Sequence, residues 1–157
     1  MFQASPQVQA FNLGVVPRSD GPRPVLLQSE AACYLVFEGT ADTQPRSGGV
    51  AIVTFASCLI SRFGYPNDEA LAGHPLFKSG LRFYGVYEVG NSPWDRELRL
   101  QNRIVFPTLD MPKRRHFIVT FHDSMFECIA TSAVAEISTE SFLSAVSRVI
   151  KVLPNDV

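Results

Sequence analysis

Apolar and polar positions alternate along residues 117–130, FIVTFHDSMFECIA, and the alternation is interrupted at Asp123–Ser124. A period of two is that of an extended strand, so the segment is predicted as a β-hairpin closing on that pair. A two-residue turn there, or a four-residue loop over 122–125, sets Phe121 opposite Phe126, Val119 opposite Cys128 and Phe117 opposite Ala130. Those six residues make one apolar face. His116, Ile118, Thr120, His122, Met125, Glu127 and Ile129 make the other. An odd loop would bring Glu127 opposite Val119 and mix the faces, so an even loop is expected.

The same reading extends along the chain. Residues 1–23 give little periodicity and read as an irregular N-terminal arm packing through Phe11, Val15 and Val16. Residues 25–28 and 32–38 read as strands. Residues 39–49, GTADTQPRSGG, are rich in turn formers and read as a surface loop. The apolar run 50–63 suits one central strand covered on both faces. Residues 81–89 form a further strand. Ser92 opens a helix over 92–103, with Pro93 at its first position and Asp95 completing a capping box. Trp94, Leu98 and Gln101 share one face of it, which makes Trp94 the anchor to the sheet. Residues 104–106 read as a short strand, 107–115 as a loop and 133–137 as a strand. Ser138 or Thr139 then caps a helix over 140–153, whose apolar residues follow the helical period up to Pro154. The expected architecture is one α+β domain over 1–157. Its mostly antiparallel β-sheet is curved or barrel-like, with two packed α-helices (about 92–103 and 140–153).

Composition narrows the function classes. A chain of 157 residues with 46% hydrophobic and 18% charged residues supports a sizeable core. A net charge of −1 provides no global field for nucleic acid or a membrane surface. Cys33, Cys58 and Cys128 are an odd set without CxxC spacing, expected as buried reduced thiols, and this points to a cytoplasmic location. The first residues, MFQASPQVQAF, have neither the charged nor the apolar region of a signal peptide. No apolar run approaches the ~20 residues that span a bilayer.

No nucleotide-binding glycine motif, HExxH, GxSxG or paired CxxC is present. His116 and His122 share a face but stand roughly 20 Å apart along a strand, too far to share a metal, and no metal or cofactor is expected. Residues 64–80, GYPNDEALAGHPLFKSG, form a long loop of the kind that often carries function. Asn67 can cap a turn there, with Asp68 and Glu69 at its positive end and Gly73 closing it. His74-Pro75 would be a rigid exit, the imidazole bonded to backbone. His122 and Glu127 lie diagonally on the non-core face, an arrangement general-base chemistry can use but equally a cross-strand contact worth under about 1 kcal/mol. Arg96, Arg99, Arg103 and the basic run 113–115 could contact phosphates, yet Asp95, Glu97 and Asp110 intervene, and nucleic acid is disfavoured.

Two segments, FGYPNDEALAGHPLFKSGLRFYGVYEVGNSPWDRELRLQN and RHFIVTFHDSMFECIA, resemble a family of small single-domain bacterial proteins of uncharacterised activity. In that family GHPL, EV-x-NS-x-W and FHD-x-x-FEC-x-A recur in this order. The resemblance covers roughly residues 50–132 and implies a bacterial single-domain protein, but no activity, cofactor or catalytic residue.

The leading expectation is a small cytoplasmic binding or protein-interaction module without its own catalysis, taking an unidentified protein or small-molecule ligand. A homodimer is compatible with it. Its candidate surface holds Asp68, Glu69, His74, Glu88, Trp94, His122, Asp123 and Glu127. One alternative is a hydrolase- or lyase-type enzyme using His122 or His74 with Glu127 or Glu88. The other is an anion or nucleic-acid binder through Arg96, Arg99, Arg103 and residues 113–115.

Overall fold

The computed structural model describes residues 3–153, apart from the side chains of residues 45–47. Two antiparallel sheets and two helices make an α+β fold. The first sheet orders β1 (Gln7–Ala10), β7 (Val86–Gly90), β8 (Arg115–Thr120), β9 (Met125–Ala130) and β6 (Ile60–Gly64). The second orders β10 (Ser132–Ser138), β5 (Gln44–Ala56), β4 (Cys33–Ala41) and β2 (Val15–Pro17), with β3 (Val25–Gln28) also on β4. The chain crosses twice between the sheets at one corner. β5 passes to β6 through residues 57–59, and β9 passes to β10 through Thr131 alone. Leu59 N–H donates to Ile129 O, and Thr131 N–H to Ala56 O, which ties the two crossings together.

The hairpin places its apolar face inward. Phe117, Val119, Phe121, Phe126, Cys128 and Ala130 pack against Leu35, Phe37, Ala51, Val53 and Phe55 of the second sheet. Helix α2 (Phe142–Val152) lays Ala145 and Val149 on the far side of that sheet, against Val36, Val50 and Ile52. The far side of the first sheet is covered instead by residues 65–85. Leu71, Leu76 and Leu81 from this segment bury Tyr87, Val89, Ile118 and Met125. Helix α1 (Pro93–Val105) begins beside it, capped by Ser92, whose Oγ accepts the Asp95 N–H at 3.0 Å.

Several expectations need correction. The hairpin register is displaced by two residues: Val119 faces Phe126, Phe117 faces Cys128 and Ile118 faces Glu127. Thr120 and Met125 are the last pair, and Phe121 N–H donates to Ser124 O across the turn. An even displacement preserves the faces, so Cys128 stays inward and Glu127 outward. Residues 39–49 are not a loop, because β4 and β5 continue to Ala41 and Gln44. The glycines answer to packing: a Cβ on Gly49 would lie 2.9 Å from Ile137 and from Ser138 O of β10.

The run 50–63 is two strands, divided where Ser57 takes φ +47. Of residues 81–89 only the end is strand, beginning at Val86. Residues 104 and 105 continue α1 rather than forming a strand. The N-terminal arm contains two strands, β1 on β7 and β2 on β4. Ser141, not Ser138 or Thr139, caps α2, accepting from Ser144 N–H at 3.2 Å. Pro154 lies outside the described residues. No helix among them is long and apolar enough to cross a membrane.

Candidate functional site

The outward face of the hairpin is buried, and two ionisable side chains are buried with it. His116 is 2% exposed and Glu127 6% exposed. The register sets His116 opposite Ile129 and Glu127 opposite Ile118, so the two lie diagonally across adjacent strands. Their side chains meet, with His116 Nε2 2.9 Å from Glu127 Oε2. On the other side of the ring, His116 Nδ1 is 2.8 Å from Ser92 Oγ, the cap of α1. Burial alone would push the Glu127 carboxyl up. The His116 hydrogen bond and the nearby charges of His116, Arg62 and His74 outweigh it, and the group sits below its ordinary range. An ionised Glu127 accepts from the His116 Nε2–H, and the Ser92 hydroxyl holds the opposite ring nitrogen.

A cavity of about 240 Å³ opens over this pair. Its walls are Trp94 from the first turn of α1, His74 and Leu76 from the covering segment, and Arg62 from the edge strand β6. Arg62 lies directly opposite Glu127 in the β6–β9 ladder. Its guanidinium carbon stands 3.9 Å over the Trp94 ring, and Nη1 reaches Glu127 Oε1 at 3.4 Å. Trp94 also meets His116 edge-on, with ring centroids 5.4 Å apart. His74 accepts Leu76 N–H at its Nδ1 at 3.1 Å, the expected backbone role. Burial lowers its pKa, with the Glu127 charge opposing and His116 and Arg62 adding to the drop.

His122 belongs to a different cluster. It is exposed at the hairpin turn, with Nδ1 2.7 Å from Asp68 Oδ2 and 3.2 Å from the Tyr84 hydroxyl. Tyr84 donates to the same Asp68 oxygen. The expected His122–Glu127 pair therefore does not form, and His74 and His122 do not converge on one cavity. The Asp68 hydrogen bond and charge raise the His122 pKa. The Tyr84 hydrogen bond leads the opposite shift at Asp68, against burial and with help from His122.

These shifts fix the sign of a pH dependence. A raised imidazole pKa adds stability below the unfolded value, lost as pH climbs through the folded one. A lowered carboxyl pKa adds stability above its unfolded value, lost as pH falls. Asp68→Asn is expected to destabilise most at about pH 5–6, where both charges exist, and least in alkali. Urea unfolding of both proteins across pH, with the His122 ring proton followed by NMR, checks it. A cost independent of pH would contradict the assignment.

The remaining candidates scatter. Asn67 Oδ1 accepts Ala70 N–H at 3.1 Å, so the cap that leaves Asp68 and Glu69 at the start of the turn is formed. Glu69 is exposed. Asp123 is exposed, 3.9 Å from His122 Nε2. Glu88 does not line the Trp94 pocket. It binds Arg115 through two 2.7 Å contacts, while its neighbours Tyr87 and Val89 take the outward face. Arg115 and Arg99 both border a groove of about 620 Å³ beside α1. Both are engaged within the chain, Arg99 by Asp95 at 2.9 Å and by Met111 O at 3.0 Å. That leaves Arg96, Lys113 and Arg114 as the cations of that groove without an ion pair among the described residues.

Arg62 and His116 of the pocket, and Ser92 bonded to His116 beside it, are not among the candidates the sequence offers. Arg62 was hidden inside an apolar run, where a lone charge was the available signal. Ser92 was legible only as a helix cap. His116 was weighed only as a metal ligand, because its meeting with Glu127 depends on the register. Among the described residues no group of three or more His, Cys, Asp or Glu side chains is arranged to hold a metal. Comparison with known proteins gives no match: no family model, no curated protein and no solved structure is similar to this chain.

Proposed function

We propose that the chain is a binding module whose pocket takes a planar cation, a guanidinium group, between Trp94 and Glu127. The observation that carries this is Arg62. Its guanidinium already stacks on Trp94 and faces the buried carboxylate, yet its side chain is 57% exposed and its ion contact is 3.4 Å long. A charge-assisted contact of that type closes to about 2.7–2.9 Å when unconstrained. A guanidinium arriving from solvent can approach more closely than one tethered directly across the ladder. Arg62 then acts as a resident competitor that swings out. Glu127, held ionised and oriented by His116, supplies the charge, and Trp94 supplies the aromatic face. A cytoplasmic setting belongs to the same proposal and is supported by three cysteines without a disulfide.

Trp94 is the only tryptophan, so its emission reports occupancy directly. Titration with N-acetylarginine amide is expected to change that emission saturably. Arg62→Ala is expected to tighten binding about 5- to 30-fold, since the contacts it frees are together worth about 1–2 kcal/mol. No saturable change in either protein would refute the guanidinium reading.

One observation favours a second reading, acyl transfer with Ser92 as nucleophile: the continuous hydrogen-bonded chain Ser92–His116–Glu127. Against it, Ser92 Oγ already accepts the Asp95 N–H as a helix cap. Covalent labelling of Ser92 by a fluorophosphonate, abolished in His116→Gln, would favour this reading over simple binding.

A further inference from the structure

The fold gathers all three cysteines at the corner where the chain crosses between sheets. Cys33 opens β4 at the end of the β3–β4 hairpin, and Cys128 sits in the middle of β9. Both are fully buried. Cys58 lies in the crossing between β5 and β6, just after the left-handed Ser57, and is partly exposed. Cys58 packs against the core cluster that holds both Cys33 and Cys128. Gln28, which reaches its sulfur, lies opposite Cys33 in the β3–β4 ladder, and Leu59 bonds Ile129 O beside Cys128. The Cys58 sulfur lies 3.6 Å from Ile60 O and 3.9 Å from Gln28 Nε2. Arg114 bonds Ser57 O at 3.4 Å, which brings a guanidinium to the same turn. Neither a disulfide nor a metal-binding arrangement uses these sulfurs. The guanidinium pocket does not use them either.

We propose that Cys58 is a modification site for hydroperoxides, with Cys33 as its resolving thiol. A partly exposed cysteine packed beside two buried ones, with a guanidinium at the same turn, is a setting in which a thiolate persists and attacks. The flanking thiols, Cys128 first and then Cys33, hold Cys58 below the ordinary thiol range against its burial, with the Ile60 backbone and Arg114 assisting. Cys33 is pushed up, first by its bond to Cys58 and then by burial. In the first step the Cys58 sulfur forms a bond to the terminal peroxide oxygen and the O–O bond breaks. The sulfur is oxidised to a sulfenic acid, and the peroxide is reduced to water or an alcohol, which takes a proton from solvent. In the second step the Cys33 sulfur attacks the Cys58 sulfur. An S–S bond forms, the S–O bond breaks, and the hydroxyl leaves as water with the Cys33 proton.

Cys33 rather than Cys128 is assigned because a disulfide needs its two Cα atoms about 4.4–6.8 Å apart. Cys33 is the first residue of its strand and follows an exposed turn, so it can shift towards Cys58. Cys128 is held between β8 and β6 by ladders on both sides.

The test is a mild excess of hydrogen peroxide on the native full-length chain, followed by thiol titration after unfolding and by peptide mapping. Loss of two of the three thiols as a Cys33–Cys58 disulfide is expected, restored by dithiothreitol. In Cys33→Ala, dimedone is expected to trap the Cys58 sulfenic acid; the mapping of the unmutated protein stands even if that variant folds poorly. Three intact thiols, at a peroxide dose that oxidises free cysteine in the same tube, would overturn the proposal. A Cys58–Cys128 bond would overturn the assignment of Cys33.

Discussion

Phe117→Ala is expected to lower the free energy of unfolding by about 3–5 kcal/mol, the range for removing a large ring from a closed core. Phe117 is fully buried in β8, which has neighbours on both sides in the first sheet. Its ring meets Phe11 edge-on at 5.2 Å and Phe55 at 5.9 Å, which joins the N-terminal segment and the second sheet through one side chain. The Arg115 guanidinium lies 4.9 Å from the same ring, held there by Glu88. Alanine would strip the partner from each of these contacts and leave a void between rigid sheets that cannot collapse together. Urea unfolding followed by far-UV circular dichroism gives the number. Ile104→Ala, at an 83% exposed position on α1, is the control and should stay within about 0.5 kcal/mol. A loss below about 1 kcal/mol at Phe117 would mean that the two sheets do not share one core.

The second large effect is expected at Glu127. Glu127→Ala leaves the nearly buried His116 Nε2–H without its acceptor, and removing one member of a buried pair costs about 3–5 kcal/mol. Glu127→Gln keeps an acceptor oxygen for that N–H and removes only the charge, so it should cost clearly less than alanine. The gap between the unmutated protein and the glutamine variant must depend on pH. The Glu127 carboxyl sits below its ordinary value of 4.5, so its ionisation adds stability above that value and loses it as pH falls through the folded pKa. The two proteins should converge in acid and diverge towards neutrality. A double-mutant cycle with His116→Gln isolates the pair, and additivity of the two substitutions would deny that it is coupled.

The division between legible and hidden features follows from physics. Alternation in residues 117–130 fixed which side chains share a face, because a strand places successive side chains on opposite sides. The same period of two makes a displacement by two residues invisible, and the turn that draws Phe121 out of the ladder produced just that displacement. The candidate site suffered directly. His122 was matched with Glu127, whereas His116 has that role and Asp68 takes His122. Glycines misled over residues 39–49 because a close approach between strands selects the same residue as a turn does. The division at Ser57 had no glycine or proline to announce it. The cap role of Ser92 and the burial of Trp94 were readable because both depend on neighbours within one helical turn. The gathering of Cys33, Cys58 and Cys128 had no local signature, since only the crossing of chain between two sheets brings them together.

The two crossings also set an order for synthesis. β5 has its partner β4 as soon as residues 33–56 are available, but its other flank waits for β10. β6 has no partner until β9 follows, and β7 has only β1 until β8 follows. The nascent chain must therefore carry an oily, half-paired meander through most of translation, and closure is a late, long-range event of the slow kind expected for such connectivity. Expression at lower temperature, or with a holdase chaperone, should raise the yield of native protein more than any stabilisation of the helices.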